Sequence, residues 1–182
     1  MYMDSMHSTN TYVNLADPVY EEISQAITKT YPNSCVCWIE KINNPLLLAN
    51  YLVQKQQMSY PNEIKNLFHG TKQHLINTIC THGFDAQKNK TSAYGIGTYL
   101  STMASYSISY CRRNNRSNDP MVYMFVCDVL AGRVCMGCSN STIDTNNYDS
   151  ATDNPKNPTM YIIPHNNAIL PKYVVAFFPG AK

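Results

Sequence analysis

The chain has 182 residues, of which 44% are hydrophobic, 11% aromatic and only 14% charged. Lys plus Arg number 14 and Asp plus Glu 12, a net charge of +2, which excludes a strongly basic nucleic-acid binder and a polybasic membrane anchor. The length suits one domain, residues 16–182, behind an N-terminal arm over residues 1–15.

Nothing in Met1 to Asn14 resembles an apolar leader, and no apolar run of about 18 residues follows. The seven cysteines are an odd number and read as reduced thiols, which suits the cytoplasm or the nucleus. Cys135 and Cys138 form a C-x-x-C, but no second pair lies at zinc-finger spacing, so a metal is not expected.

Asp17-Pro18 supplies an N-cap and a first-turn proline, which predicts a helix to about Lys29. Cys35 to Ile39 reads as a strand. Asn44-Pro45 repeats the cap-and-proline signal, and Leu46 to Met58 follows as a helix. Leu67-Phe68 is a short strand ending at His69-Gly70-Thr71, with Thr71 placed to cap the next helix. That helix carries Leu75, Ile76, Ile79 and Cys80 on one face and stops at Gly83.

Phe84 to Gly95 reads as a loop, Thr98 to Ser101 as a strand, and Met103 to Cys111 as a helix. Met121 to Leu130, rich in Val, Tyr and Phe, is a strong strand, and Gly132 turns it into a second. Ser139 to Pro158 is Asn- and Asp-rich and reads as irregular. Met160 to Ile163 and Tyr173 to Phe178 are further strands. Helices crowd the first half and strands the second, the signature of an α+β fold.

Three segments carry chemistry. His69-Gly70-Thr71 follows a strand, and Gly70 permits close approach of the backbone to a ligand. Tyr94 to Ser101 and Ser105 to Tyr110 bring tyrosines near two glycines, and Tyr99 and Tyr110 suit two walls of a slot for a flat aromatic ligand. The third segment runs from Asn157 through Met160 to Tyr173. In this order and spacing the three resemble the PARP family of ADP-ribosyltransferases, with its H-G-[ST], Y-G-x-G-x-Y-F and S-x-x-Y motifs. Trp38 to Leu46 resembles the family's I-x-R-I-Q-N-P-x-L stretch. Tyr148 to Pro158 is similar to the Y-D-T-V-T-D-N run of its mono-ADP-ribosylating branch. The likeness extends over roughly residues 16–178.

The resemblance implies a diphtheria-toxin-like fold of two packed, antiparallel-rich sheets with short flanking helices. It implies NAD+ as co-substrate and no metal. By matching position, His69 would bond the adenine-side ribose. Gly70, with Thr71 beside it, and the Ser107 hydroxyl would hold the nicotinamide carboxamide, and Tyr99 and Tyr110 would sandwich its ring. The Phe84 to Gly95 loop would border the cofactor. Met160 stands where polymer-forming relatives carry Glu. A thioether cannot accept strongly or act as a base, so the resemblance implies transfer of one ADP-ribose rather than a polymer. His69, Tyr99 and Met160 are the implied catalytic triad of positions. The implied partners are NAD+ and protein acceptors bearing Glu or Asp, with the acceptor carboxylate assisting and nicotinamide released. The chain is expected to be a monomer without membrane or nucleic-acid partners. Two other readings are a catalytically silent NAD+-binding module and transfer to nucleic-acid ends, the latter motivated by Arg112, Arg113 and Arg116.

Overall fold

Among the described residues, nine strands hydrogen bond in the order β1-β2-β9-β5-β3-β4-β8-β7-β6. They are β1 (Thr9–Tyr12), β2 (Cys35–Asn43), β3 (Glu63–Thr71), β4 (Thr98–Ser101), β5 (Val122–Leu130), β6 (Val134–Met136), β7 (Ser150–Thr152), β8 (Met160–Ile163) and β9 (Ile169–Phe178). Among the described residues, four α-helices flank them: α1 (Pro18–Thr30), α2 (Pro45–Gln57), α3 (Ile76–His82) and α4 (Ala104–Arg112). This computed structural model describes residues 9–89, 93–112 and 120–180. Among the described residues no helix is long and apolar enough to cross a membrane.

The helix starts follow their caps. Asp17 accepts a bond from the Val19 N–H at 2.9 Å, and Pro18 opens α1. Asn44 accepts from the Leu46 and Leu47 N–H groups, both at 3.1 Å. Its amide also donates to the carbonyls of Cys80 and Thr81, so one side chain joins the start of α2 to the end of α3. Gly83 ends α3 at φ +78°, a conformation that favours glycine.

The central strand β5 is buried along all nine residues. Side chains alternate along a strand, so each face of the sheet receives its own core. Leu67, Phe125 and Cys127 pack with Tyr51, Ile79, Cys80 and Phe84 on the α2 and α3 side. Phe68, Met124 and Val126 pack with Ile23, Ile27, Ala104 and Ile108 on the α1 and α4 side.

The expectation of two packed sheets is corrected: the strands form one sheet. Its continuity is narrow at one place. The strands β3 and β4 pair only at Phe68 with Ser101. A five-strand half and a four-strand half therefore meet at a single register pair, and the sheet is free to open there.

Other differences have local causes. The part of the N-terminal arm that is described pairs with β2 as an edge strand, Thr9 opposite Asn43 through Tyr12 opposite Glu40. Its four side chains are exposed, so no apolar alternation marks it in the sequence. The strand β3 starts at Glu63, hidden in the sequence because Lys65 and Asn66 are polar and Asn66 takes φ +59°. Thr71 ends β3 opposite Tyr123 and caps no helix. Within the Asn-rich stretch, Ser150–Thr152 forms β7, three small residues that are buried between β6 and β8.

Candidate functional site

A cavity of about 320 Å³ opens where β3 and β4 part. Its lining includes His69, Gly70 and Thr71 from β3, Tyr99 from β4, Ser107 and Tyr110 from α4, and Met160 from β8. All the residues singled out from the sequence thus meet at one place, from four elements up to 91 positions apart in the chain. Past Phe68, β3 has no β4 residue opposite it, and its edge from His69 to Thr71 borders the cavity instead.

His69 is held from two sides. Its Nδ1 lies 2.8 Å from the Tyr99 carbonyl oxygen. A carbonyl only accepts, so Nδ1 carries the proton and Nε2 keeps its lone pair as an acceptor. Its ring meets Phe84 edge-on, with centroids 4.9 Å apart, and Phe84 in turn packs on Phe125. Burial lowers the pKa of the imidazole below its ordinary value, against the opposing pull of the Tyr99 carbonyl.

Tyr99 is pinned by its phenol. The Tyr94 N–H donates to its oxygen at 3.0 Å, and the Tyr99 hydroxyl donates to the Gly95 carbonyl at 2.9 Å. The loop ahead of β4 thereby fixes the ring on which a flat ligand would lie. Tyr110, which also lines the cavity, is 41% exposed near the end of α4.

Gly70 serves packing of the helix on the strand. A Cβ there would stand 2.1 Å from the Ser107 carbonyl oxygen and 2.7 Å from Cys111 Sγ. In the structure the close neighbour of this glycine is α4 rather than open space for a ligand, and that approach brings Ser107 and Tyr110 to the cavity. The Ser107 hydroxyl donates to the Phe68 carbonyl at 3.0 Å. With its proton so placed, the hydroxyl oxygen keeps its lone pairs to accept a further hydrogen bond, such as one from an amide N–H.

Met160 is buried, and the β4–β8 register sets it opposite Ser101. Its N–H donates to Asp153 Oδ1 at 3.0 Å, and its carbonyl accepts from Thr152 Oγ1 at 2.7 Å. Asp153 also accepts from the Thr159 N–H and the Thr159 hydroxyl. Burial opposes the Asp153 charge, but these bonds outweigh it and hold its carboxyl below the usual range. The thioether thus sits at a rigid strand start.

The sequence reading gave no individual role to two of the lining residues, Phe84 and Tyr106. Phe84 directly follows the Gly83 stop and buttresses His69. Tyr106 lies one helical turn before Tyr110, a spacing that places both on one face of α4. At the mouth, Asn89 donates to the Gly97 carbonyl at 3.0 Å, which ties the described part of the Phe84 loop to the approach to β4. Positions 90–92 of that loop, and Arg113 and Arg116 of the basic cluster, lie outside the described residues. Cys135 and Cys138 are free thiols, and among the described residues no group of three metal-ligating side chains forms.

The family model described as the poly(ADP-ribose) polymerase catalytic domain matches residues 18–150. The match ends before Met160. Among curated proteins, the protein mono-ADP-ribosyltransferase PARP12 of Mus musculus is 27% identical over 177 residues, 90% of this chain and 24% of that protein. The human protein mono-ADP-ribosyltransferase PARP14 is 29% identical over 179 residues, covering 89% of this chain and 10% of its own length. The human protein mono-ADP-ribosyltransferase PARP11 is 26% identical over 188 residues, 87% of this chain and 56% of that protein. This chain therefore spans only part of each of these relatives, from a tenth to just over half.

Proposed function

The chain belongs to the poly(ADP-ribose) polymerase catalytic-domain family, and on that premise we propose that it is an NAD+-dependent mono-ADP-ribosyltransferase acting on proteins. Residues 16–182 form the catalytic unit. The observation that carries this reading is that His69, Tyr99, Tyr110 and an apolar Met160 line one cavity.

In this reading His69 Nε2 accepts from the hydroxyls of the adenine-side ribose. The Gly70 backbone and the Ser107 oxygen take the carboxamide, Thr71 closes that end of β3, and Tyr99 and Tyr110 enclose the nicotinamide ring. The bond from the ribose carbon to the pyridinium nitrogen breaks, and nicotinamide leaves neutral with the electron pair. A carboxylate of the acceptor, Glu or Asp, forms the new bond to that carbon and yields an ester. The acceptor arrives already ionised, so no protein base has to remove a proton. The lining of tyrosine faces and apolar side chains excludes water from the cationic sugar, and contacts that tighten in the transition state supply the acceleration. Met160 can neither hold the ribose hydroxyl nor activate a sugar hydroxyl for elongation, so the reaction stops at one unit.

A chain of this kind needs no membrane or nucleic-acid partner and works as a monomer in the cytoplasm or nucleus. Incubation with NAD+ labelled in the adenylate tests the reading: label on protein, matched by free nicotinamide, supports it. Tight NAD+ binding without transfer would favour the silent binding module, the reading that Met160 also permits.

A further inference from the structure

The two walls of the slot differ in how they are held. Tyr99 is fixed by two backbone bonds to its phenol oxygen. Tyr110 is 41% exposed and stands two residues from the end of a nine-residue helix. An exposed tyrosine there samples several rotamers, and ordering it on binding costs affinity. One neighbour answers this. Tyr106 lines the same cavity, and its phenol oxygen lies 3.3 Å from that of Tyr110. The two rings are 5.7 Å apart at 45°, a tilted pair one helical turn apart.

We infer that Tyr106 is a positioning residue, a hydroxyl tether that holds the Tyr110 ring in place as the second wall of the nicotinamide slot. The inference rests on the proposed function, since it concerns how that site recognises its flat ring. Each wall of the slot is then fixed through its para oxygen, Tyr99 by the loop ahead of β4 and Tyr110 by a neighbour on its own helix. Burial, and then the bond to Tyr110, raises the Tyr106 phenol pKa, so the hydroxyl stays protonated throughout the neutral range. The tether is also selective. It acts on the ring-binding end of the cavity and leaves the His69 end alone, because His69 is oriented by Tyr99 and Phe84.

The test is titration calorimetry on the full chain with two ligands, benzamide as a flat nicotinamide mimic and ADP-ribose, which lacks the ring. Tyr106→Phe keeps the aromatic surface and removes only the oxygen. It should weaken benzamide about three- to tenfold, the factor one hydrogen bond contributes, and leave ADP-ribose unchanged. Tyr110→Phe should cost benzamide a similar factor, and the double variant should cost no more than either single change, because both remove the same bond. Unchanged benzamide affinity in Tyr106→Phe would overturn the tether. So would equal losses on both ligands, or losses that multiply in the double variant. The wild-type arm separates this from the reading beneath it: a wild-type chain that binds neither ligand overturns both, whereas wild-type binding with an indifferent Tyr106→Phe overturns the tether alone.

Discussion

His69 links fold and chemistry through one proton. The bond from Nδ1 to the Tyr99 carbonyl requires a neutral ring if Nε2 is to accept. Burial favours that neutral form by lowering the imidazole pKa. The unfolded chain takes up the same proton near pH ~6.5, the folded chain only at lower pH. Between those two values the unfolded state binds more protons. Stability is therefore complete above about pH 6.5 and is lost as the pH falls from there toward the folded pKa. Denaturant titrations should show this acid loss in the wild type and a shallower one in His69→Gln; equal slopes would contradict it. NAD+ binding should hold through that window and weaken only as the pH falls through the lowered folded pKa, because a protonated Nε2 donates instead of accepting. Met160 sets the other expectation at this scale. Met160→Glu places a carboxyl in a buried position, where burial raises its pKa. Elongation also needs a pocket that accepts ADP-ribose as acceptor, so this variant should still give single units. Ladders of product on a gel from this one change would show that the missing carboxylate is the whole difference.

The helix α4 and the strand β3 form the element on which the site depends. Gly70 allows the helix backbone to approach until Ser107 bonds the Phe68 carbonyl and Cys111 Sγ reaches the Tyr123 carbonyl at 3.0 Å. Gly70→Ala forces a methyl group against the Ser107 carbonyl, a backbone atom that cannot swing aside. Overpacking of this kind costs about 1–3 kcal/mol. A clearly lowered melting temperature is expected, with loss of NAD+ binding because Ser107 and Tyr110 shift together. An unchanged melting temperature would mean that the helix has room to retreat. Elements whose signals are local were legible in the sequence. Asp17-Pro18 and Asn44-Pro45 mark their helix starts, Gly83 ends α3, and Val122 to Leu130 declares its strand. The strands β1 and β7 were not, because one is wholly exposed and the other is three small residues buried by partners far away in sequence. Thr71 misled for a related reason: a threonine before a helical stretch looks like a cap, but pairing with Tyr123 keeps it in the strand.

At the scale of the whole molecule, the single β3–β4 register pair leaves room for the cavity beside it. A continuous pairing would close the cavity with backbone bonds; one pair lets the sheet open between His69 and Tyr99 while Met160 arrives through β8. The positions named from the sequence motifs, from His69 to Met160, all line one cavity. Periodicity could not reveal the opening itself, because strand order and the extent of pairing depend on residues distant in the chain. The Tyr106 contact escaped for a milder reason, since a tyrosine among serines on a short helix looks like ordinary packing. The central claim is that this cavity transfers one ADP-ribose and no more. Intact-protein mass spectrometry of a carboxylate-rich acceptor incubated with the chain and NAD+ tests it most directly. Masses raised by one ADP-ribose per modified residue, with equal nicotinamide release and no signal from His69→Ala, are the predicted result. An unmodified acceptor beside a wild-type chain that binds NAD+, or masses climbing by repeated ADP-ribose units at one residue, would contradict it.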